Sequence, residues 1–268
     1  MPILAIPLGL LIGLSLGALG GGGSVLTVPA LVYALGQDPR TATTTSLVIV
    51  GLTSLGAVIQ HARAGRVRAG QGLLFGGLGA GGAILGSLLA ARVPQQVLLT
   101  AFAGLMLVVA TLMLRKALRP GSAPDADPTA EPMLSLRPLR CACPRVVKLV
   151  VTASVAGLFT GFFGVGGGFV VVPALVLALA FPMPVAVGTS LLVIAVNSAT
   201  ALASRVSAGA GDLDWRLIAG FTVAALAASL VGGRVASRVD ARHLSGTFAV
   251  MLVGVALYTG ARSAPALF

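Results

Sequence analysis

Charge is what this chain has least of. Asp, Glu, Lys and Arg make up 9% of its 268 residues, against about 25% in an average soluble domain. A soluble surface cannot be clothed with so little, so a soluble globular domain is excluded. Acids number only seven, and no charged residue falls clearly inside an apolar run. Buried carboxylates mark proton relays in membranes, so a carboxylate-based proton pump is disfavoured. Sodium held by backbone carbonyls stays open. The two cysteines, Cys141 and Cys143, make neither a disulfide framework nor a complete zinc site. His61 and His243 sit at the ends of apolar runs and read as interfacial. With the cysteines they form no nucleophile–base pair and no metal set, which argues against a membrane enzyme and a cation transporter. No cofactor is expected. No Lys or Arg precedes Arg40, so the opening "MPILAIPLGLLIGLSLGALG" lacks the basic flank of a signal peptide.

Apolar residues are abundant, at 57% of the chain with a mean hydropathy of +1.02. Continuous apolar runs cover 41–62, 71–91, 95–114, 187–206, 216–233 and 243–260. A span needs about 20 such residues, and a membrane barrel would alternate instead. These runs predict six transmembrane helices, with the lipid bilayer as partner. The net charge of +11 does not point to nucleic acid. The basic residues flank the runs, where they orient helices in the membrane.

Shifted by 144 residues, the chain matches itself. "GLSLGALGGGGSVLTVPALVYAL" (13–35) falls on "GLFTGFFGVGGGFVVVPALVLAL" (157–179), and "TSL" at 45–47 falls on "TSL" at 189–191. Over 13–47, 17 of 35 positions are identical. After a two-residue gap, Gly86, Arg92, Val93, Leu98 and Phe102 fall on Gly232, Arg238, Val239, Leu244 and Phe248. The chain reads as a first repeat half (1–116), a linker (117–147) and a second half (148–268). The linker holds Pro120, Pro124, Pro128, Pro132, Pro138, Pro144 and three of the seven acids. That composition predicts a solvated, flexible cytoplasmic segment. Duplicated halves are typical of secondary transporters, with the binding site where the halves meet.

Each half opens with two short apolar pieces around a glycine cluster. In the first, 3–19 and 24–36 flank Gly20 to Gly23. In the second, 149–163 and 169–181 flank the 164–168 cluster. Thirteen-residue pieces reach about 20 Å, too short to cross. They predict hairpins that enter the membrane, break near mid-depth and return. Irregular backbone at that depth must border protein or a water-filled cavity. Helix starts facing such a cavity carry about half a positive charge and bind anions through bare N–H groups. Close packing through small residues is the alternative. It suits Gly72, Gly76, Gly79 and Gly82 better than a run of four glycines.

The predicted substrate-binding set is Gly20, Gly21, Gly22, Gly23 and Ser24 with Gly164, Gly166, Gly167 and Gly168. To these are added Thr45, Ser46, Thr53, Thr189, Ser190 and Asn197, hydroxyl and amide groups suited to oxyanions. Thr53 aligns with Asn197, and Ser54 with Ser198. Hairpins leave three full spans per half, so the halves would insert inverted. Broken helices that cross once would make them parallel. Either arrangement puts 13 of the 18 Lys and Arg on the cytoplasmic side, so the charge distribution does not choose between them. Length favours inversion. The expected class is an all-α polytopic membrane protein of two homologous halves.

At the repeated "GxGGG…VP" element with its downstream "TSL", the sequence resembles the TauE/SafE family of membrane permeases. The resemblance spans nearly the whole chain. The first half departs from the second, with Gly21 and Ser24 where the second has Val165 and Gly168. The resemblance implies about eight spans and a plasma-membrane transporter of small sulfur-containing anions: sulfite, sulfoacetate or other organosulfonates. Direction of transport, coupling ion and oligomeric state are not implied.

Overall fold

A computed structural model describes residues 2–90, 92–118, 143–163, 168–207, 213–236 and 238–263. Among these there are ten α-helices and no strands. The first half holds α1 (Pro2–Leu19), α2 (Gly22–Pro29), α3 (Pro39–Arg63), α4 (Ala69–Ala90) and α5 (Gln95–Leu118). The second holds α6 (Cys143–Phe163), α7 (Gly168–Pro173), α8 (Met183–Ser207), α9 (Trp215–Ala236) and α10 (Ala241–Ser263). The repeat therefore maps α1–α5 onto α6–α10. Most of the linker lies outside the described residues.

Among the described residues, five segments are long and apolar enough to cross a membrane: Arg40–Arg63, Ala69–Ala90, Met183–Ser207, Trp215–Ala236 and Arg242–Ala261. The sixth expected span, 95–114, lies within α5, which includes the continuous apolar stretch Thr100–Arg115. Large apolar side chains face outward along the helices, among them Leu88, Val223 and Val250, each more than 60% exposed. Water would not tolerate so wide an apolar exterior, whereas lipid does. The three acids among the described residues, Asp38, Asp214 and Asp240, lie outside the helices. Two of them start helices. Asp38 accepts from the Arg40 N–H at 3.0 Å, and Asp214 accepts from the Arg216 and Leu217 N–H groups at 3.0 and 3.1 Å. Side-chain caps of this kind satisfy N–H groups that the helix leaves free.

Both short helices widen at a proline. Pro29 is followed by a π turn at Ala30–Ala34, and Pro173 by another at Ala174–Ala178. The turns close with Leu35 N–H on the Ala30 carbonyl (3.1 Å) and Leu179 N–H on the Ala174 carbonyl (3.3 Å). The chain turns back on itself between α1 and α2. Gly22 lies beside Leu19, and Gly23 beside Leu16 and Ile12. Further on, Leu26, Pro29 and Ala30 share a crevice with Leu8 and Ile12.

Small residues set the helix pairs. Gly13 and Gly17 of α1 press on the backbone of Ala225 and Ser229 in α9. Gly157 and Gly161 of α6 press on Gly79 and Ala83 in α4 in the same way. Residue numbers rise together in each pair, so both pairs run parallel. Gly13 maps onto Gly157 and Gly17 onto Gly161, so one contact is built twice. Small residues let backbones approach this closely within a membrane. Gly72, Gly76 and Gly82 also pack tightly, against Thr189 and Leu192, Val196, and Ser154 respectively.

Helices α3 and α8 pack against one another in opposite directions. Arg205 Nη1 donates to Thr43 Oγ1 at 2.7 Å. Near the middle of both helices, a methyl on Gly51 would come 3.3 Å from Ser198 Cβ. Beyond the other end of α3, the Arg68 N–H donates to Thr189 Oγ1 at 3.1 Å.

Candidate functional site

The glycine breaks meet. Gly20 ends α1 with φ +66°, a left-handed conformation that glycine reaches without steric cost. Its N–H donates to the Leu16 carbonyl at 2.8 Å. A Cβ there would stand 2.7 Å from Ser190 Oγ. The backbone of Gly21 touches that of Gly168 so closely that a methyl on Gly21 would overlap the Gly168 carbonyl. Ser24 Oγ donates to the Gly21 carbonyl at 2.8 Å and closes the same knot. Gly20 to Ser24 and Gly168 are all buried. Gly164, Gly166 and Gly167 lie outside the described residues.

The first break therefore faces protein. Gly22 looks onto Met251 Cε of α10, and Gly23 onto Leu16. A crevice of about 340 Å³ opens nearby, between α1, α2 and α10. Its walls are apolar and hold none of the break glycines. They include Leu8, Leu26, Pro29 and Tyr258.

The predicted polar set divides into bonded and free groups. Thr53 donates to the Ile49 carbonyl (2.7 Å), Ser46 to that of Thr43 (2.8 Å) and Ser190 to that of Val187 (2.8 Å). These are the local backbone bonds that membrane helices commonly give hydroxyls. Thr189 accepts from Arg68, as above. The hydroxyls of Thr45, Ser54 and Ser198 and both polar side-chain atoms of Asn197 are buried without a partner. Buried polar groups are ordinarily paired. Asn197 does not point at the Gly21–Gly168 contact. It faces α4, where a Cβ on Gly79 would stand 3.3 Å from both of its side-chain atoms.

Two further side chains contradict the expectation for their positions. His61 is not interfacial: it is 3% exposed, with Nε2 3.1 Å from the Gly17 carbonyl of α1. It is enclosed by Gly188 of α8 and Gly233 of α9, where an added Cβ would stand 3.3 Å from it, and spacing within α3 carries no trace of that. Arg205 does belong to a span. It lies in the last turn of α8, half-buried, and reaches back to Thr43 and, at 3.5 Å, to Thr44. The repeat held the signal for both, since the 144-residue shift sets His61 on Arg205. His243, by contrast, is exposed beside Asp240, 3.8 Å away.

The family described as Sulfite exporter TauE/SafE matches residues 5–259. The chain belongs to the TauE/SafE family. A "Probable membrane transporter protein" of Xylella fastidiosa (strain 9a5c) is 35% identical over 265 residues, covering 97% of this chain and 95% of that one. "Probable membrane transporter protein YunE" of Bacillus subtilis (strain 168) is 26% identical, covering 95% and 94%. A Methanocaldococcus jannaschii relative, "Probable membrane transporter protein MJ0441", is 23% identical over 77% of this chain and 74% of its own. No solved structure matches. The TauE/SafE chain is thus a multi-pass membrane transporter.

Proposed function

We propose that this transporter moves small sulfur-containing anions such as sulfite, sulfoacetate or other organosulfonates across the plasma membrane, by alternating access around the two glycine breaks. The observation that carries the reading is the Gly21–Gly168 contact. It brings the start of a helix from each half to one buried point, and helix starts favour anions. Among the described residues no acid lies within a helix, so none of the described helices brings negative charge to that point to repel an anion. The α3–α8 pair also holds the buried, unpartnered polar groups of Thr45, Ser54, Ser198 and Asn197. In this reading the contact is the closed state, and the two hairpins part to admit the anion.

The halves are read as an inverted repeat. In support, α3 and α8 are equivalent by the repeat, and their contacts at Thr43–Arg205 and Gly51–Ser198 run antiparallel. Parallel halves would carry equivalent helices in the same direction.

The test is thermal stabilisation of the purified protein by sulfite, sulfoacetate, chloride and divalent metals. Stabilisation by sulfite or sulfoacetate beyond chloride is expected. Stabilisation by chloride alone would make this a transporter of a different small anion, and by metals alone would end the anion reading.

A further inference from the structure

We propose that His61 is a proton-binding site coupled to the anion, so that proton and anion cross in the same direction. This rests on the anion-transport reading above.

Nε2 faces the Gly17 carbonyl at 3.1 Å, and a carbonyl can only accept. Nε2 therefore carries a hydrogen, and in the neutral ring Nδ1 has a free lone pair. Nδ1 is buried and has no partner. A proton arriving from water would bind there and make an imidazolium without disturbing the Gly17 bond. On release the same proton leaves Nδ1 and the neutral tautomer returns.

The place of the ring supplies the coupling. Gly17 is three residues before Gly20, about one helical turn from the break. Its carbonyl lies in the last turn of α1, where a helix end carries partial negative charge and favours a cation. The Cβ of His61 lies against Gly188, next to Thr189 and Ser190, and Ser190 is the residue against Gly20. A charge on His61 thus appears beside the point where the anion is proposed to bind. Each ligand raises the affinity of the other by the same factor.

The surrounding elements hold no acid to take over this role. Helix α1 has no charged residue, and α3 has Arg63 on the same turn. The α3–α4 turn has Arg66 and Arg68, α9 has Arg234, and Arg205 of α8 is at the far end. Arg205 is also the repeat equivalent of His61. One half carries a permanent cation at this position, and the other carries a cation that can be switched. An arginine stays protonated at any physiological pH, so only the histidine end can load and unload.

Sulfoacetate is the probe, because its charge is constant between pH 5.5 and pH 8. In proteoliposomes of the full chain, a one-unit pH gradient should raise sulfoacetate accumulation by about tenfold for one proton per anion. In His61→Gln, which keeps a side-chain N–H for Gly17, the ratio with and without the gradient should fall to about one. In His243→Asn it should stay at the wild-type value. A gradient response that survives in His61→Gln overturns the proposal. A substrate-free measurement decides the case even if sulfoacetate is not moved or the glutamine variant fails to fold. In purified His243→Asn protein, the remaining histidine ring should titrate between pH 5 and pH 8 by NMR. A ring that stays in one form throughout overturns the proposal, whatever the anion.

Discussion

Gly21 and Gly168 lie in opposite halves of the chain, yet their backbones are in direct contact. A side chain on Gly21 has nowhere to go, because the obstacle is a carbonyl group rather than a movable side chain. The neighbouring Gly22 differs. There a methyl would meet Met251 Cε at 2.8 Å, the free end of a flexible chain that can swing aside. Gly21→Ala should therefore cost more than the usual 1–3 kcal/mol of overpacking, seen as loss of folded protein on size exclusion. Gly22→Ala should purify. If the start of α2 holds the anion, it should bind sulfoacetate about tenfold to a hundredfold more weakly. Wild-type affinity in that variant would remove the helix start from the site.

Orientation is open to chemical labelling. With Cys141 and Cys143 replaced by Ser, Ala64→Cys reports the α3–α4 turn and Trp215→Cys the exposed start of α9, the end of that helix equivalent to the start of α4. Inverted halves place these two positions on opposite faces of the membrane. A membrane-impermeant maleimide that reaches both from one side would refute inversion.

The doubled glycine contact predicts matched losses. Gly13→Ala and Gly157→Ala should lower the melting temperature by similar amounts, since each drives a methyl into the backbone of the facing helix. Gly77→Ala is the contrast. Nothing stands within 4 Å of its added Cβ, so the variant should be unchanged or stabilised by up to about 1 kcal/mol.

Arg205 ties the end of α8 to the start of α3 through Thr43. Arg205→Ala should cost about 1.5–3 kcal/mol, the range for a hydrogen bond to a charged group. It reads as a lower unfolding temperature in detergent. Arg205→Lys should recover only part, because the shorter lysine side chain must carry its ammonium to the place where Nη1 now reaches Thr43 and Thr44.

Much of this architecture was legible in the sequence because the repeat is a long-range signal. It aligned Gly13 with Gly157 and Gly17 with Gly161 before any contact was known, and the short pieces around Gly20–Gly23 implied a break. The meeting of the breaks followed from symmetry. Other features were not legible. The environment of His61 depends on Gly17, Gly188 and Gly233, which come from three other helices. Its position at the end of a run resembles that of exposed His243. The unpartnered state of Asn197 depends on Gly79 of α4 lying opposite, and no local pattern records that. The break also proved to be filled by backbone and by Met251, whereas the glycine run alone suggested open space.

Neither half packs its own first helix on its own fourth. Helix α1 lies on α9 of the second half, and α6 lies on α4 of the first. During synthesis α1 enters the membrane with its Gly13–Gly17 face bare, and the surface that covers it is made only after most of the chain has emerged. The first hairpin must wait in lipid, whereas α6 finds α4 already in place. The same exchange bears on ancestry. A single half could complete itself only by lending its first helix to a second copy. The segment between α5 and α6 thus joins two halves that each complete the other's helix pair.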